Sequence, residues 1–312
     1  MKQKILAITA IVLVAVLLLG MAAAYRAVAS AYRSAFDYRC ITPIGDRRSA
    51  EEFPAMTGTR HIFPTRQGHK LTGYLYESAD GSAAKALVVF AHGLGAGGQC
   101  SYLAIFDYLV RSGYCVFAYD ATGNDESEGE AVGSLIQGYI DMDYAASYAQ
   151  GLEETQGLPL VLMGYSWGGL SAGNTVNTHP EAAAVVTFAG WNKANDMVAR
   201  SNQEKMGAAA KVMAPFVTLY EVFNYGKYAF SSAMKGFEGS DCGVMILHGE
   251  LDSTVPIELG YDIYAEKYAD DPRFTFLRYS DKGHLNILPK KGDGVDEEMM
   301  AQVVAFCDKW VG

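Results

Sequence analysis

The sequence predicts an α/β protein, a mostly parallel sheet covered by helices on both faces. Three observations carry that prediction. From Gly81 onward, short apolar runs alternate with longer stretches of helical periodicity, as units of strand, crossover helix and parallel strand require. One run, Leu160 to Met163, is aliphatic and unbroken, as expected of a strand buried on both faces. That run then breaks into Gly164-Tyr165-Ser166-Trp167-Gly168, and a helical pattern opens after Gly169. A serine between such a strand and such a helix stands on a very tight turn. Glycines two before and two after it are what the turn requires, because a Cβ there would clash with the neighbouring strand or helix.

The elements follow in order. Lys2 and Lys4 precede Ile5 to Ala24, a 20-residue run interrupted only by Thr9 and Gly20. At ~1.5 Å per residue this matches the ~30 Å hydrocarbon core of a bilayer. Residues 1–24 are therefore read as a signal anchor, a single-pass transmembrane helix in the cell membrane. The lysines put its amino end in the cytoplasm and the folded body outside, a signal that Arg26 and Arg33 weaken without reversing. The alternative is secretion after signal-peptide cleavage, since Ala22-Ala23-Ala24 and Ala27-Val28-Ala29 both fit a small-x-small site. The run exceeds the usual apolar region of about 7–15 residues, which favours the anchor. Residues 25–59 read as a stalk and approach segment, and 60–312 as the folded domain.

Within that domain, Arg60 to Thr65 and Lys70 to Glu77 flank Gln67-Gly68 as a hairpin. Strands are expected at Ala86 to Ala91, Tyr114 to Tyr119, Leu158 to Met163, Ala184 to Ala189, Val244 to Leu247 and Phe274 to Tyr279. Helices are expected at Tyr102 to Arg111, Gly138 to Gly151, Gly168 to Thr178, Glu258 to Tyr268 and Glu297 to Trp310. The interval 191–239 breaks the rhythm, with helical periodicity rich in Ala, Met and aromatic residues and no strand pattern. It reads as a helical cap, some of whose apolar residues pack inward while others line a pocket. Phe216, Tyr220 and Phe223 fall on one helical face, i, i+4, i+7, and are the candidate substrate-binding residues.

Composition excludes several functions. Half of the 312 residues are hydrophobic and 19% are charged, which suits a folded chain rather than a disordered one. A formal charge of −10 with no Lys/Arg cluster argues against a nucleic-acid partner. Cys40, Cys100, Cys115, Cys242 and Cys307 are scattered, with no metal-ligand spacing. They read as structural or neutral. No metal is expected.

A serine hydroxyl is a weak nucleophile and needs a base beside it, oriented in turn by a carboxylate. His284 lies in Ser280-Asp281-Lys282-Gly283-His284, a polar turn after the last strand and at the same sheet edge as Ser166. Asp252 likewise follows a strand, through His248-Gly249-Glu250-Leu251-Asp252. The chain order Ser166, Asp252, His284 is one in which sheet enzymes use a nucleophile, acid and base. Glu250 and Asp281 are rival acids. Asp252 is favoured because the turn after its strand aims it inward, with Thr254-Val255-Pro256 closing the loop. A developing oxyanion needs two preorganised N–H donors. Trp167, directly after the serine, supplies one; the loop His92-Gly93-Leu94-Gly95-Ala96-Gly97-Gly98 supplies the other, from Leu94 or alternatively Gly95. His92 and His248, each before a glycine at a strand end, read as structural hydrogen-bonding residues.

These motifs together resemble the α/β-hydrolase superfamily, and within it the serine aminopeptidase/monoacylglycerol lipase-like group. The resemblance rests on His92-Gly93-Leu94-Gly95, Tyr119-Asp120 through Gly129, Gly164 to Gly169, His248 to Asp252 and Gly283-His284, and spans about Arg60 to Trp310. It implies an α/β-hydrolase fold with a serine triad of Ser166, Asp252 and His284 and no cofactor. One departure stands out: Gly123-Asn124-Asp125-Glu126-Ser127 lacks the histidine or arginine usual in that turn, which bears on how the loop packs.

The leading expectation is a serine esterase acting on an acyl ester or monoacylglycerol-like small molecule. An aminopeptidase-like amidase acting on a short peptide is the alternative, and it would need a cap carboxylate such as Asp196, Glu204, Glu221 or Glu238. A non-catalytic membrane-tethered binding domain is the third reading, disfavoured because all three triad positions are filled.

Overall fold

The structure of the chain, a computed structural model, describes residues 2–66, 68–95, 97–287 and 294–312. It divides into two compact units, Met1–Asp37 with Val198–Phe230, and Tyr38–Met197 with Ser231–Gly312. In chain order the helices are α1 (Lys2–Phe36), α2 (Leu103–Arg111), α3 (Leu135–Gln150), α4 (Trp167–Thr175) and α5 (Ala194–Met206). They continue as α6 (Ala209–Tyr225), α7 (Ala233–Glu238), α8 (Tyr261–Tyr268), α9 (His284–Ile287) and α10 (Glu297–Val311).

The larger unit is built on one sheet. Its strands are β1 (Met56–Pro64), β2 (Lys70–Ser78), β3 (Ala86–Ala91), β4 (Tyr114–Tyr119), β5 (Leu160–Tyr165), β6 (Ala184–Phe188), β7 (Gly243–Gly249) and β8 (Phe274–Tyr279), in the order β1-β2-β4-β3-β5-β6-β7-β8. β1 and β2 form the expected antiparallel hairpin, β2 runs antiparallel to β4, and β3 to β8 are mutually parallel. Gln67, in the hairpin turn, lies outside the described residues, as does Ala96 in the loop after β3.

Every residue of β3, β4, β5, β6 and β7 is buried, which is why these segments read as continuous apolar runs instead of alternating ones. Alternate side chains still point to opposite faces. Val88, Phe90, Val116, Met163 and Val186 meet α2 and α10 on one face, through Phe106, Leu109, Met300 and Val303. α3 and α4 contact β3 from the other face. β3 lies between β4 and β5, so the chain winds outward from it in both directions. That reversal opens a crevice at the carboxyl ends of β3 and β5, where open α/β sheets take their ligands.

Several boundaries depart from the sequence expectation. The segment from Tyr25 is not a separate stalk at first: α1 continues without a break to Phe36, because Ala-rich sequence with neither Gly nor Pro after Gly20 favours helix. Beyond it, residues 38–48 clasp the loop after β4. Cys40 bridges Asn124, the Arg39 guanidinium donates to the carbonyls of Asp125, Ser127 and Gly129, and Asp125 accepts from the Thr42 N–H at 2.6 Å. Asp125 is thus the anchor of the turn that lacks the usual basic residue. The helix expected over Glu258 to Tyr268 begins only after Gly260, with a short 3₁₀ turn at Ile257–Leu259 before it.

In the smaller unit α1 packs on α6. Val28, Ala29 and Tyr32 are the buried residues of α1. The Tyr32 ring lies 4.8 Å from that of Tyr220, and its hydroxyl donates to Glu221 Oε1 at 3.1 Å.

Candidate active site

The backbone around Ser166 is tightly constrained. Ser166 takes φ +56° and ψ −116°, a region that costs a non-glycine residue about 1–3 kcal/mol and persists only when its surroundings impose it. Those surroundings are two backbone-to-backbone approaches. A Cβ on Gly164 would stand 2.2 Å from the Gly168 carbonyl oxygen, and one on Gly168 would stand 1.9 Å from that of Ala91. Glycine at both positions lets β5 turn directly into α4, leaving the Ser166 side chain at the crevice.

Two loops deliver its partners. The segment after β7 is tied to the segment after β8 by hydrogen bonds from Glu250 N–H to Tyr279 O and from Leu251 N–H to Lys282 O, at 2.8 and 3.0 Å. This brings Asp252 beside His284. His284 Nδ1 lies 2.7 Å from Asp252 Oδ2, and His284 Nε2 lies 2.9 Å from Ser166 Oγ. The three residues singled out from the sequence are therefore in one hydrogen-bonded line.

The protonation pattern follows from Asp252. Burial pushes its carboxyl up, but hydrogen bonds from His248, His284 and the Val255 N–H outweigh burial and hold it well below the usual carboxylate range. An ionised Asp252 only accepts, so His284 Nδ1 carries the proton and Nε2 presents its lone pair to the Ser166 hydroxyl. The other oxygen, Asp252 Oδ1, accepts from the N–H groups of Thr254 and Val255, each at 2.8 Å. The rival acids are elsewhere: Glu250 accepts from Arg278 Nε at 2.6 Å, and Asp281 is exposed.

Trp167, the first residue of α4, has its N–H at the helix start, where backbone donors have no intrahelical acceptor. Leu94 follows Gly93, which packs on the serine turn: a Cβ on Gly93 would lie 3.5 Å from Ser166 Cβ. Both expected oxyanion donors are therefore on segments that flank Ser166. His92 is buried, donating from Nδ1 to Gly93 O at 2.8 Å and accepting the Ala121 N–H at Nε2 at 3.0 Å. It fixes the loop after β3 against the loop after β4.

Phe216, Tyr220 and Phe223 all lie on α6, but their environments differ. Tyr220 is buried, with its ring against Tyr25 and Tyr32, while Phe223 is exposed and meets Tyr25 edge-on. These contacts make Tyr220 a packing residue of the smaller unit, while Phe216 is half-buried and Phe223 faces outward.

Two further groups support the site: Tyr165, which sequence reasoning does not single out, and His248, which it reads as a structural hydrogen-bonding residue without indicating its partner. Tyr165 donates its hydroxyl to the His284 carbonyl at 2.6 Å, with its ring 5.2 Å from the imidazole. His248, fully buried, places Nε2 3.3 Å from Asp252 Oδ2 and 3.0 Å from Val255 O. The signal for His248 is its four-residue separation from Asp252; for Tyr165 there is none beyond its place before the serine.

All five cysteines are free thiols. Burial pushes the Cys115 and Cys307 thiols up to about 12, so both are inert at neutral pH.

Residues 82–235 match the family model described as serine aminopeptidase, S33. An esterase of Pyrococcus furiosus superposes with a TM-score of 0.64 at 16% identity, over 88% of this chain and 98% of that one. The chain has the α/β-hydrolase fold. An α/β-hydrolase from a Penicillium species gives a TM-score of 0.61 at 16% identity, covering 82% of this chain and 99% of its own. Est1E of Butyrivibrio proteoclasticus, solved with ferulic acid, gives 0.59 at 16% identity, covering 80% and 99%. At such identities the likeness speaks to the fold. No curated protein sequence matches the chain.

Proposed function

We propose that this chain is a serine esterase that cleaves a carboxylic ester of modest size, such as an acyl ester or a monoacylglycerol-like amphiphile, through an acyl-enzyme. The observation that carries the reading is the line from Ser166 Oγ through His284 to an ionised Asp252. Ser166 Oγ attacks the ester carbonyl while His284 Nε2 takes its proton, and Asp252 stabilises the imidazolium that forms. The carbonyl oxygen becomes an oxyanion held by the N–H groups of Trp167 and Leu94. His284 then protonates the departing alcohol as the carbon–oxygen bond breaks, leaving the acyl group on Ser166. Water, deprotonated by the same imidazole, attacks the acyl carbon, and Ser166 leaves with the proton back on its oxygen.

The family model's description favours a second reading, a peptidase that binds a free amino terminus. Such a substrate needs an available carboxylate. Glu204 pairs with Arg200, Glu221 with Tyr32, and Glu238 with Lys267 and Tyr268, while Asp196 accepts the Lys193 N–H. Their engagement supports the ester reading over the peptide one.

We further propose that α1 is an uncleaved anchor, with the larger unit outside the cytoplasm. Every large apolar side chain from Ile5 to Met21 is exposed, and the helix is long and apolar enough to cross a bilayer. Cleavage after Ala29 would remove Val28 and Ala29, two of the three buried residues of α1.

Turnover of a p-nitrophenyl ester series against a series of aminoacyl amides tests the substrate class. Ester hydrolysis with little amide hydrolysis is expected, and a preference for aminoacyl amides would overturn the ester assignment.

A further inference from the structure

α6 has a buried side and an apolar side that is exposed among the described residues. Val217, Tyr220 and Glu221 form the buried side. On the other side Val212, Pro215, Leu219 and Phe223 follow one another at i, i+3, i+7 and i+11, a single stripe along the helix. All four are exposed, Val212 at 68% and Phe223 at 72%. The helix has two charged residues, Lys211 and Glu221, and Glu221 is buried. From Val212 to Asn224 no exposed side chain carries a charge. A helix face in water ordinarily carries charged and polar groups, and an uninterrupted apolar stripe marks a surface that meets another partner.

The contact with α1 says what that partner is. Tyr25 is the first residue after the Ile5 to Ala24 run, so it stands where the helix leaves the hydrocarbon. Its ring meets Phe223 edge-on at 6.3 Å and Tyr220 at 6.5 Å. Tyrosine at that depth is the usual occupant of the boundary between acyl chains and headgroups. Arg26, the next residue, is exposed, as is Lys227 just after α6, and both suit the phosphate layer.

We infer that the exposed stripe of α6 docks on the phospholipid surface. Phe223 and Leu219 enter the headgroup–acyl boundary beside Tyr25, as the apolar face of an interfacial helix does. The inference rests on the anchor reading of α1. It assigns Phe223 to lipid contact rather than to the substrate.

The test uses the full chain reconstituted in phosphatidylcholine vesicles whose acyl chains are brominated near the carboxyl end. Tryptophan is introduced in separate variants as Phe223→Trp and as Ser34→Trp. Ser34 is exposed on α1, nine residues beyond Tyr25 and so ~13 Å further from the bilayer at the ~1.5 Å helical rise. With the native tryptophan background subtracted, Phe223→Trp should be quenched severalfold more than Ser34→Trp. Equal, weak quenching of both in a chain that floats with the vesicles would overturn the docking and leave the anchor standing. Blue-shifted but unquenched Phe223→Trp emission would mean that protein, such as a second copy, covers the stripe, and would overturn it too. A chain that does not float with vesicles would overturn both the anchor and the docking.

Discussion

Replacing Asp252 by Asn removes one charge and forces one orientation. In the native site Oδ1 accepts two backbone N–H groups, from Thr254 and Val255, whose protons cannot move, and Oδ2 faces His284 Nδ1 at 2.7 Å and His248 Nε2 at 3.3 Å. An amide nitrogen in the Oδ1 place would confront two donors with a third. The introduced amide therefore keeps its oxygen there and turns its NH₂ toward His284. Nδ1 must then accept, which moves the imidazole proton to Nε2, opposite the Ser166 hydroxyl. The base is lost although every side chain stays in position. Loss of the correct tautomer costs on the order of 10⁴ in kcat, or ~5.4 kcal/mol at ~1.36 kcal/mol per tenfold change. Steady-state hydrolysis of a p-nitrophenyl ester measures it, with Asp252→Asn expected to lose kcat while KM changes little. Glu250→Gln and Asp281→Asn are the controls and should each retain near-native kcat. A loss in either control as large as that of Asp252→Asn would overturn the assignment of the acid, because neither carboxylate is placed to orient the base.

Other outcomes follow from single contacts. Tyr165→Phe removes the hydroxyl that holds the His284 carbonyl, and should lower kcat with little change in thermal midpoint; an unchanged kcat would show that the bond does not position the base. Gly168→Ala sets a Cβ against the Ala91 carbonyl, and should destabilise by more than the ~1–3 kcal/mol common for overpacking, read from the denaturant midpoint. At His179, burial disfavours the imidazolium but hydrogen bonds to Asp143 and Glu181 outweigh it and raise the pKa. A raised folded-state pKa stabilises fully below the unfolded value of ~6.5 and loses that stabilisation as pH rises through the folded value. The gap in melting temperature between native protein and His179→Gln should therefore be wider near pH ~5.5 than near pH ~9.

Much of this site is legible in the sequence because local chemistry fixes it. The serine turn needs its glycines for steric reasons, and acid and base follow their strands within a few residues, so spacing points to Ser166 and His284 and narrows the acid to Glu250, Asp252 or Asp281, among which the turn closed by Thr254-Val255-Pro256 favours Asp252. What is not legible depends on contacts distant in sequence. The bond from Tyr165 to the His284 carbonyl spans 119 positions, and the clasp of residues 38–48 on Asp125 joins segments that carry no shared pattern. α6 shows the limit most clearly. The spacing of Phe216, Tyr220 and Phe223 indicates a common helical face, but periodicity cannot distinguish a substrate pocket from a neighbouring helix. The rings of Tyr25 and Tyr32 decide that question for Tyr220.

Everything proposed for catalysis depends on Ser166 being a nucleophile activated by His284. Labelling the full chain with a fluorophosphonate, followed by peptide mass mapping, reads out that reactivity without a substrate. A single phosphonylated site is expected at Ser166, absent in Ser166→Ala and strongly slowed in His284→Ala. Undiminished labelling of Ser166→Ala, or a modified serine elsewhere in the chain, would contradict it.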